Sequence, residues 1–144
     1  MTPTPPGPSD PGGMPSRAFF GEEASFHHVG MVVRSIEKTA PGARSWEDPI
    51  QRVRVTFLTV HGAPIELVEP VGERSPVRRS LDKGKTLLHL CFQVPNLEAA
   101  LRAGSDSGFS ALGPPAPAAA FDGRRICWVY HREFGLVELL EAPP

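Results

Sequence analysis

Two histidines and two glutamates stand in stretches that read as buried strand. His28 lies in FHHVGMVV and His89 in LLHLCFQV, while Glu66 lies in PIELVEP and Glu138 in GLVELLEA. Each carboxylate sits between apolar neighbours, where it is costly unless paired, hydrogen-bonded or bound to a metal. Laying His28 on His89 sets HVGMVVRSIEKTA over HLCFQVPNLEAAL, matching Ile36 with Leu97 and Glu37 with Glu98, and laying Glu66 on Glu138 aligns the two glutamate runs. Self-similarity in a fixed order of elements points to two like modules. A pseudo-twofold arrangement would bring all four side chains to one place. Two imidazoles and two carboxylates make a mixed nitrogen and oxygen set suited to a divalent ion such as Zn, Co, Ni, Mn or Fe. With six-coordinate geometry, two positions would stay open for substrate or water. Strand alternation places His27 and His28 on opposite faces, and either could be the inward one from this alone.

The elements that must position these residues follow from periodicity and breakers. Phe26 to Val33 reads as a strand, and IEKTA as a short helix stopped by Pro41 and Gly42. Gln51 to Val60 alternates Val53, Val55 and Phe57 against Arg52, Arg54 and Thr56, the mark of a strand with one wet face. A hairpin at HGAP returns it as IELVEP. Ser75 is the expected cap, and Pro76 the first residue, of a linking helix. The order then recurs: strand LLHLCFQV, helix PNLEAALRAGSDSG ended by Gly104 or Gly108, and strands RRICWVYH and GLVELLEA joined by a tight turn. The expected organisation is a Pro/Gly-rich disordered tail over 1–24 and a single domain over 25–144. Within that domain, module one covers about 25–72, the linking helix 73–85 and module two 86–142.

Composition narrows the function classes. Of 144 residues, 17 are Pro and 14 are Gly, which argues against a helical bundle, and the length fits one compact domain. A formal charge of −1 gives no electrostatic reason to expect nucleic acid or an anionic membrane. No apolar run approaches membrane-spanning length and no signal-peptide pattern opens the chain, so a cytoplasmic protein is expected. Cys91 and Cys127 read as buried thiols. His61 and His131 read as exposed loop or strand-end residues, with His131 a candidate for a cavity rim. Arg74, Arg78, Arg79, Lys83 and Lys85 surround the link between the halves, as a solvated helix face or as partners for the phosphates of a coenzyme A thioester. Arg124 and Arg125 allow the same two readings. Nothing in the chain has the form of a glycine-rich phosphate loop, a serine nucleophile elbow or a paired-cysteine zinc site.

FHHVGMVV, QRVRVTFLTVHGAPIELVEP, GERSPVRRSLDKGKTLLHLCFQV and WVYHREFGLVELLEA together resemble the vicinal-oxygen-chelate superfamily of glyoxalases and bleomycin-resistance proteins, in its methylmalonyl-CoA epimerase-like branch. The resemblance spans about residues 26–142. It implies an α+β fold of two βαβββ modules whose sheets curl into a cup around a divalent metal, held by His28, Glu66, His89 and Glu138. It also implies a metal that stabilises an enolate oxygen while a carboxylate removes the neighbouring proton, with Glu138, or else Glu66, as that base. The first module is abbreviated: Val53 comes only 25 positions after His28, and Pro41 and Gly42 cut its helix. Ile50 precedes Gln51 where the branch usually has an acid, and the nearest acids are Glu47 and Asp48. The expected function is a metal-dependent epimerase, isomerase or lyase that enolises a small carbonyl or acyl-thioester substrate. The alternative is a non-catalytic protein that sequesters an antibiotic or other small ligand. An iron dioxygenase needs only three protein ligands, and Glu66 as a fourth argues against it. Open sheet edges of this kind suggest a homodimer.

Overall fold

β1 (Ser25–Val32) runs through the middle of the molecule, and the rest of the first module follows as α1 (Ile36–Thr39), β2 (Trp46–Asp48), β3 (Val53–Val60) and β4 (Ala63–Pro70). A linking helix, α2 (Arg78–Asp82), leads to β5 (Leu87–Val94) and α3 (Leu97–Asp106). The chain then forms β6 (Ser110–Ala111), β7 (Ala116–Pro117), a 3-10 turn at Ala119–Phe121, β8 (Arg125–His131) and β9 (Gly135–Glu141). The structure, a computed structural model, describes residues 14–144, so most of the expected tail lies outside the described residues.

The described strands form one mixed sheet in the order β2-β3-β4-β1-β5-β9-β8-β6, with β7 paired to β8. β1 pairs parallel with β4, β5 pairs parallel with β9, and β1 meets β5 antiparallel at the seam. The order therefore reads alike from either end, as the internal repeat requires. Alternation divides the side chains of the curled sheet between two faces. On the outer face of the second module, α3 lays Leu97 and Ala100 over Val94, Val129, Val137 and Leu139. On the inner face, Val53, Val55 and Val68 form one apolar cluster, and Cys91, Ile126, Leu140, Ala118 and Phe121 form another.

Four local readings change. The third strand starts at Val53, because Gln51 and Arg52 belong to a turn in which Arg52 has φ 57°. That turn follows β2, a strand of three residues, too short to show a period; the buried Asp48 carboxylate holds the turn by accepting from the backbone N–H of Ile50 and Gln51, each at 3.0 Å. Ser75 is not the cap of α2, nor Pro76 its first residue, since α2 starts at Arg78: the Ser75 carbonyl accepts from Arg78 N at 3.1 Å in a preceding turn, and its hydroxyl is buried with no partner among the described residues. Part of the expected tail is packed. Phe20 is buried against Phe109 with ring centroids 4.7 Å apart, and its ring comes within 2.9 Å of where a Cβ on Gly104 would stand. Gly104 is therefore a packing residue inside α3, while Gly108, at φ 92°, ends the helix in the left-handed conformation glycine favours.

Candidate metal centre

The four central strands each contribute one buried polar side chain. His28 comes from β1, Glu66 from β4, His89 from β5 and Glu138 from β9, and each is 5% exposed or less. Register sets them side by side: Gly30 is opposite both Glu66 and His89, while Cys91 is opposite both His28 and Glu138. Gly30 is required by close approach, since a Cβ there would collide with the His89 ring. His28 Nε2 lies 3.2 Å from His89 Nε2, 3.4 Å from Glu66 Oε1 and 3.3 Å from Glu138 Oε1. His89 Nε2 lies 3.4 Å from each of the same two oxygens.

Those separations suit a shared cation. Metal–ligand distances of about 2.0–2.2 Å place neighbouring donors roughly 3.0 Å apart at right angles and roughly 3.4 Å apart at the tetrahedral angle. Glu138 Oε1 is also buried with no hydrogen-bond partner among the described residues beyond its 3.3–3.4 Å approach to the two imidazoles, which leaves it lone pairs to offer a cation. The donor set, two imidazole nitrogens and two carboxylate oxygens, could hold a borderline divalent ion.

Without a cation, protons take its place. Burial alone would lower the His89 pKa, but its contacts with Glu138 and Glu66 outweigh burial and push it up to about 9; His28 shifts upward for the same reason. Burial would raise Glu138, yet the two imidazoles beside it pull it down to about 2.

A glyoxalase/bleomycin resistance protein/dioxygenase superfamily model matches residues 27–128, a span that takes in His28, Glu66 and His89. The chain belongs to this superfamily. It is 29% identical over 126 residues to an ethylmalonyl-CoA/methylmalonyl-CoA epimerase of Cereibacter sphaeroides, covering 78% of this chain and 94% of that one. It is also 29% identical to the mitochondrial methylmalonyl-CoA epimerase of Homo sapiens, covering 81% of this chain and 73% of that one. A methylmalonyl-CoA epimerase structure from Mycobacterium tuberculosis superposes with a TM-score of 0.67 at 25% identity, covering 83% and 88% of the two chains.

In this member of the superfamily Glu66, His89 and Glu138 form one wall of a cavity of about 440 Å³, with His28 fully buried beside them. Its other walls are mainly apolar, from Val53, Val55, Val68, Val77, Leu88 and Phe121, and none of the lining residues among those described is Arg or Lys. Two aromatic residues that the sequence did not single out brace the histidines. Phe121 stacks on His28 at 6.1 Å between centroids, and Trp128 meets His89 edge-on at 4.7 Å. Trp128 Nε1 donates to Gln51 Oε1 at 3.0 Å, and Gln51 Nε2 donates to Asp48 Oδ2 at 3.1 Å. This chain of hydrogen bonds ties β8 to the β2–β3 turn across the two modules. Phe121 comes from a Pro- and Ala-rich stretch with no period to mark it, and the partners of Trp128 lie in the other half of the chain.

The remaining candidates lie elsewhere. His61 is exposed at the β3–β4 turn. His131 does not line this cavity: its Nδ1 accepts from Glu133 N at 3.0 Å and its ring packs on Phe109, on the outer face. Arg74, Arg79, Lys83 and Lys85 are exposed, whereas Arg78 is half-buried and donates to Gly72 O. Arg125 pairs with Glu98 and Glu141, and Arg124 donates to Gln93 Oε1 and Glu141 O. Both cysteines are buried. Burial, and next the nearby Glu138 charge, push the Cys91 thiol well above its usual range, so it stands as a neutral wall beside His28.

Proposed function

We propose that the protein is a metal-dependent epimerase, isomerase or lyase that enolises a small carbonyl or acyl-thioester substrate, and that an acyl-CoA epimerase is the best-supported form of this reading. The observation that carries it is the meeting of four buried ionisable side chains, each imidazole 3.2–3.4 Å from the other and from both carboxylates, at an apolar cavity that Glu66, His89 and Glu138 line. Taking such groups out of water costs several kcal/mol per charge unless they are compensated. A protein that only sequestered a ligand would need the cavity but not this cluster. The similarity to the epimerase of Cereibacter sphaeroides supports the acyl-thioester choice.

His28, Glu66, His89 and Glu138 would hold a divalent ion. Bound there, the ion would polarise a substrate carbonyl and stabilise negative charge developing beside it. The apolar walls receive the acyl group and exclude water, which strengthens every charge interaction inside. Glu138, whose carboxylate lines the cavity, is the candidate to accept the α-proton, and Glu66, which also lines it, is the second candidate. Asp48 also reaches the cavity, but it accepts three hydrogen bonds from Ile50 and Gln51 and is thereby committed to holding its turn. Val77 and Ser80 bring the α2 segment to the cavity wall, with Arg79, Lys83 and Lys85 exposed around it, a placement that suits the phosphates of a coenzyme A carrier.

The test is solvent deuterium exchange at the α-carbon of methylmalonyl-CoA and ethylmalonyl-CoA, with and without added divalent ion. Exchange that requires the ion is the expected result. Tight binding of these thioesters with no exchange under any metal would overturn the enzymatic reading in favour of sequestration.

A further inference from the structure

Both site histidines follow a β-bulge, and the two bulges carry different residues. Along the seam Phe26 is opposite Phe92 and His28 is opposite Cys91, so β1 carries one extra residue, His27. Further along, Gly30 is opposite His89 and Met31 is opposite Leu87, so β5 carries one extra residue, Leu88. The internal alignment of His28 with His89 sets His27 on Leu88. Adjacent residues of a regular strand point to opposite faces, whereas a bulge re-aims one of them. As a result Leu88 lines the cavity beside His89, and the His27 ring swings to His28.

The two bulge residues treat the following histidine differently. His27 Nδ1 lies 2.8 Å from His28 Nδ1, on the side of the ring away from the cluster. Leu88 offers nothing of the kind, and His89 Nδ1 is buried without a hydrogen-bond partner among the described residues. His89 is held by packing instead, against the edge of Trp128 and over Gly30. A ligating imidazole needs its lone pair toward the metal and its proton on the other nitrogen, and an acceptor for that proton fixes tautomer and ring orientation together.

Building on the metal-centre reading above, we propose that His27 is a positioning residue for His28: its Nδ1 accepts the hydrogen bond from His28 Nδ1–H and keeps the Nε2 lone pair of His28 facing Glu66, His89 and Glu138. Phe121, edge-on to His27 at 5.6 Å, holds the His27 ring in the half-buried slot this requires.

Cobalt(II) affinity of the full chain, measured by competition with a chromophoric chelator and by the visible spectrum of the bound ion, tests this. His27→Phe keeps a ring but removes the acceptor, and it should weaken cobalt binding about 10- to 100-fold and alter the spectrum. His27→Asn keeps an acceptor oxygen and should recover most of the affinity. The metal-free forms should melt within a few degrees of wild type. Wild-type affinity and spectrum in His27→Phe would overturn the role of His27 while leaving the metal centre intact. Equal losses in both variants, matched by equal losses of metal-free thermal stability, would show a packing role and overturn the proposal too. Wild-type protein that takes up no cobalt would overturn the metal-centre reading itself.

Discussion

The two modules share an order of elements and divide the labour unequally. In the second, α3 runs for ten residues and covers a core that includes Leu97, Val137, Leu139, Phe20 and Phe109. In the first, α1 has four residues and buries Ile36 alone before Pro41 and Gly42 turn the chain away. Near the site the polarity of the contrast reverses: the first module supplies His27 behind His28 and the Asp48–Gln51 turn, while the second leaves His89 braced by carbon. Duplicated topology therefore conserves where the four site residues meet, but not how each is supported or how firmly each half is built.

The largest effects should come from breaking the part the modules share. His89→Ala and Glu138→Ala, each removing one of the two donors that the second module contributes, should reduce bound metal from about one ion per chain to none and abolish metal-dependent α-proton exchange, as read by metal analysis and deuterium incorporation. Next comes the contrast in cores. Leu97→Ala under the long helix should cost about 3–5 kcal/mol in denaturant unfolding, whereas Ile36→Ala under the short one should cost about 2 kcal/mol. Equal losses would show that the abbreviated module is as tightly built as its counterpart.

Acidity offers a smaller and reversible probe. Because the folded protein raises His89 from the usual 6.5 to about 9, the associated stability of metal-free protein is complete below about pH 6.5 and is lost as pH rises through about 9. Glu138, depressed to about 2, contributes stability that is present above the usual carboxylate range and lost as pH falls toward 2. Thermal melts of chelator-treated protein should accordingly fall between pH 6.5 and 9, and added metal, which competes with those protons, should reverse the trend. A flat profile without metal would mean that the histidines are not held in their charged form. The smallest effect is at the helix starts. Asn96, accepting from Ala99 N at 2.8 Å, should cost about 1 kcal/mol on replacement by Ala, and Ser35, accepting from Lys38 N at 3.2 Å, about half as much.

Much of this was legible before any coordinates. His28, Glu66, His89 and Glu138 announce themselves because polar residues in apolar strand centres are rare enough to need a reason, and because the repeat supplies each with a twin. The hairpin at His61 and the short first helix follow from local chemistry in the same way. Asp48 and Phe121 were not legible, since a strand of three residues and a Pro- and Ala-rich loop carry no period. Trp128 lay in a recognisable strand, yet its partners Gln51 and His89 are distant in the chain. The packed Phe20 was hidden for a related reason: its slot is made by Gly104 and Phe109, far along the chain, and its own neighbours look like a tail.

By itself the sequence determined the repeat, the alternation that turns four polar side chains toward one place, and the family to which that pattern belongs. Those properties are local, set by the two-residue period of a strand and by breakers that act within a few residues. Only the tertiary structure decided which of His27 and His28 faces the cluster, and that His27 stands behind its neighbour rather than on the opposite face. A bulge is a mismatch of count between two paired strands, so it exists only once β1 and β5 have found their register. One extra residue on each side of that seam, His27 on β1 and Leu88 on β5, separates two histidines that the repeat makes equivalent.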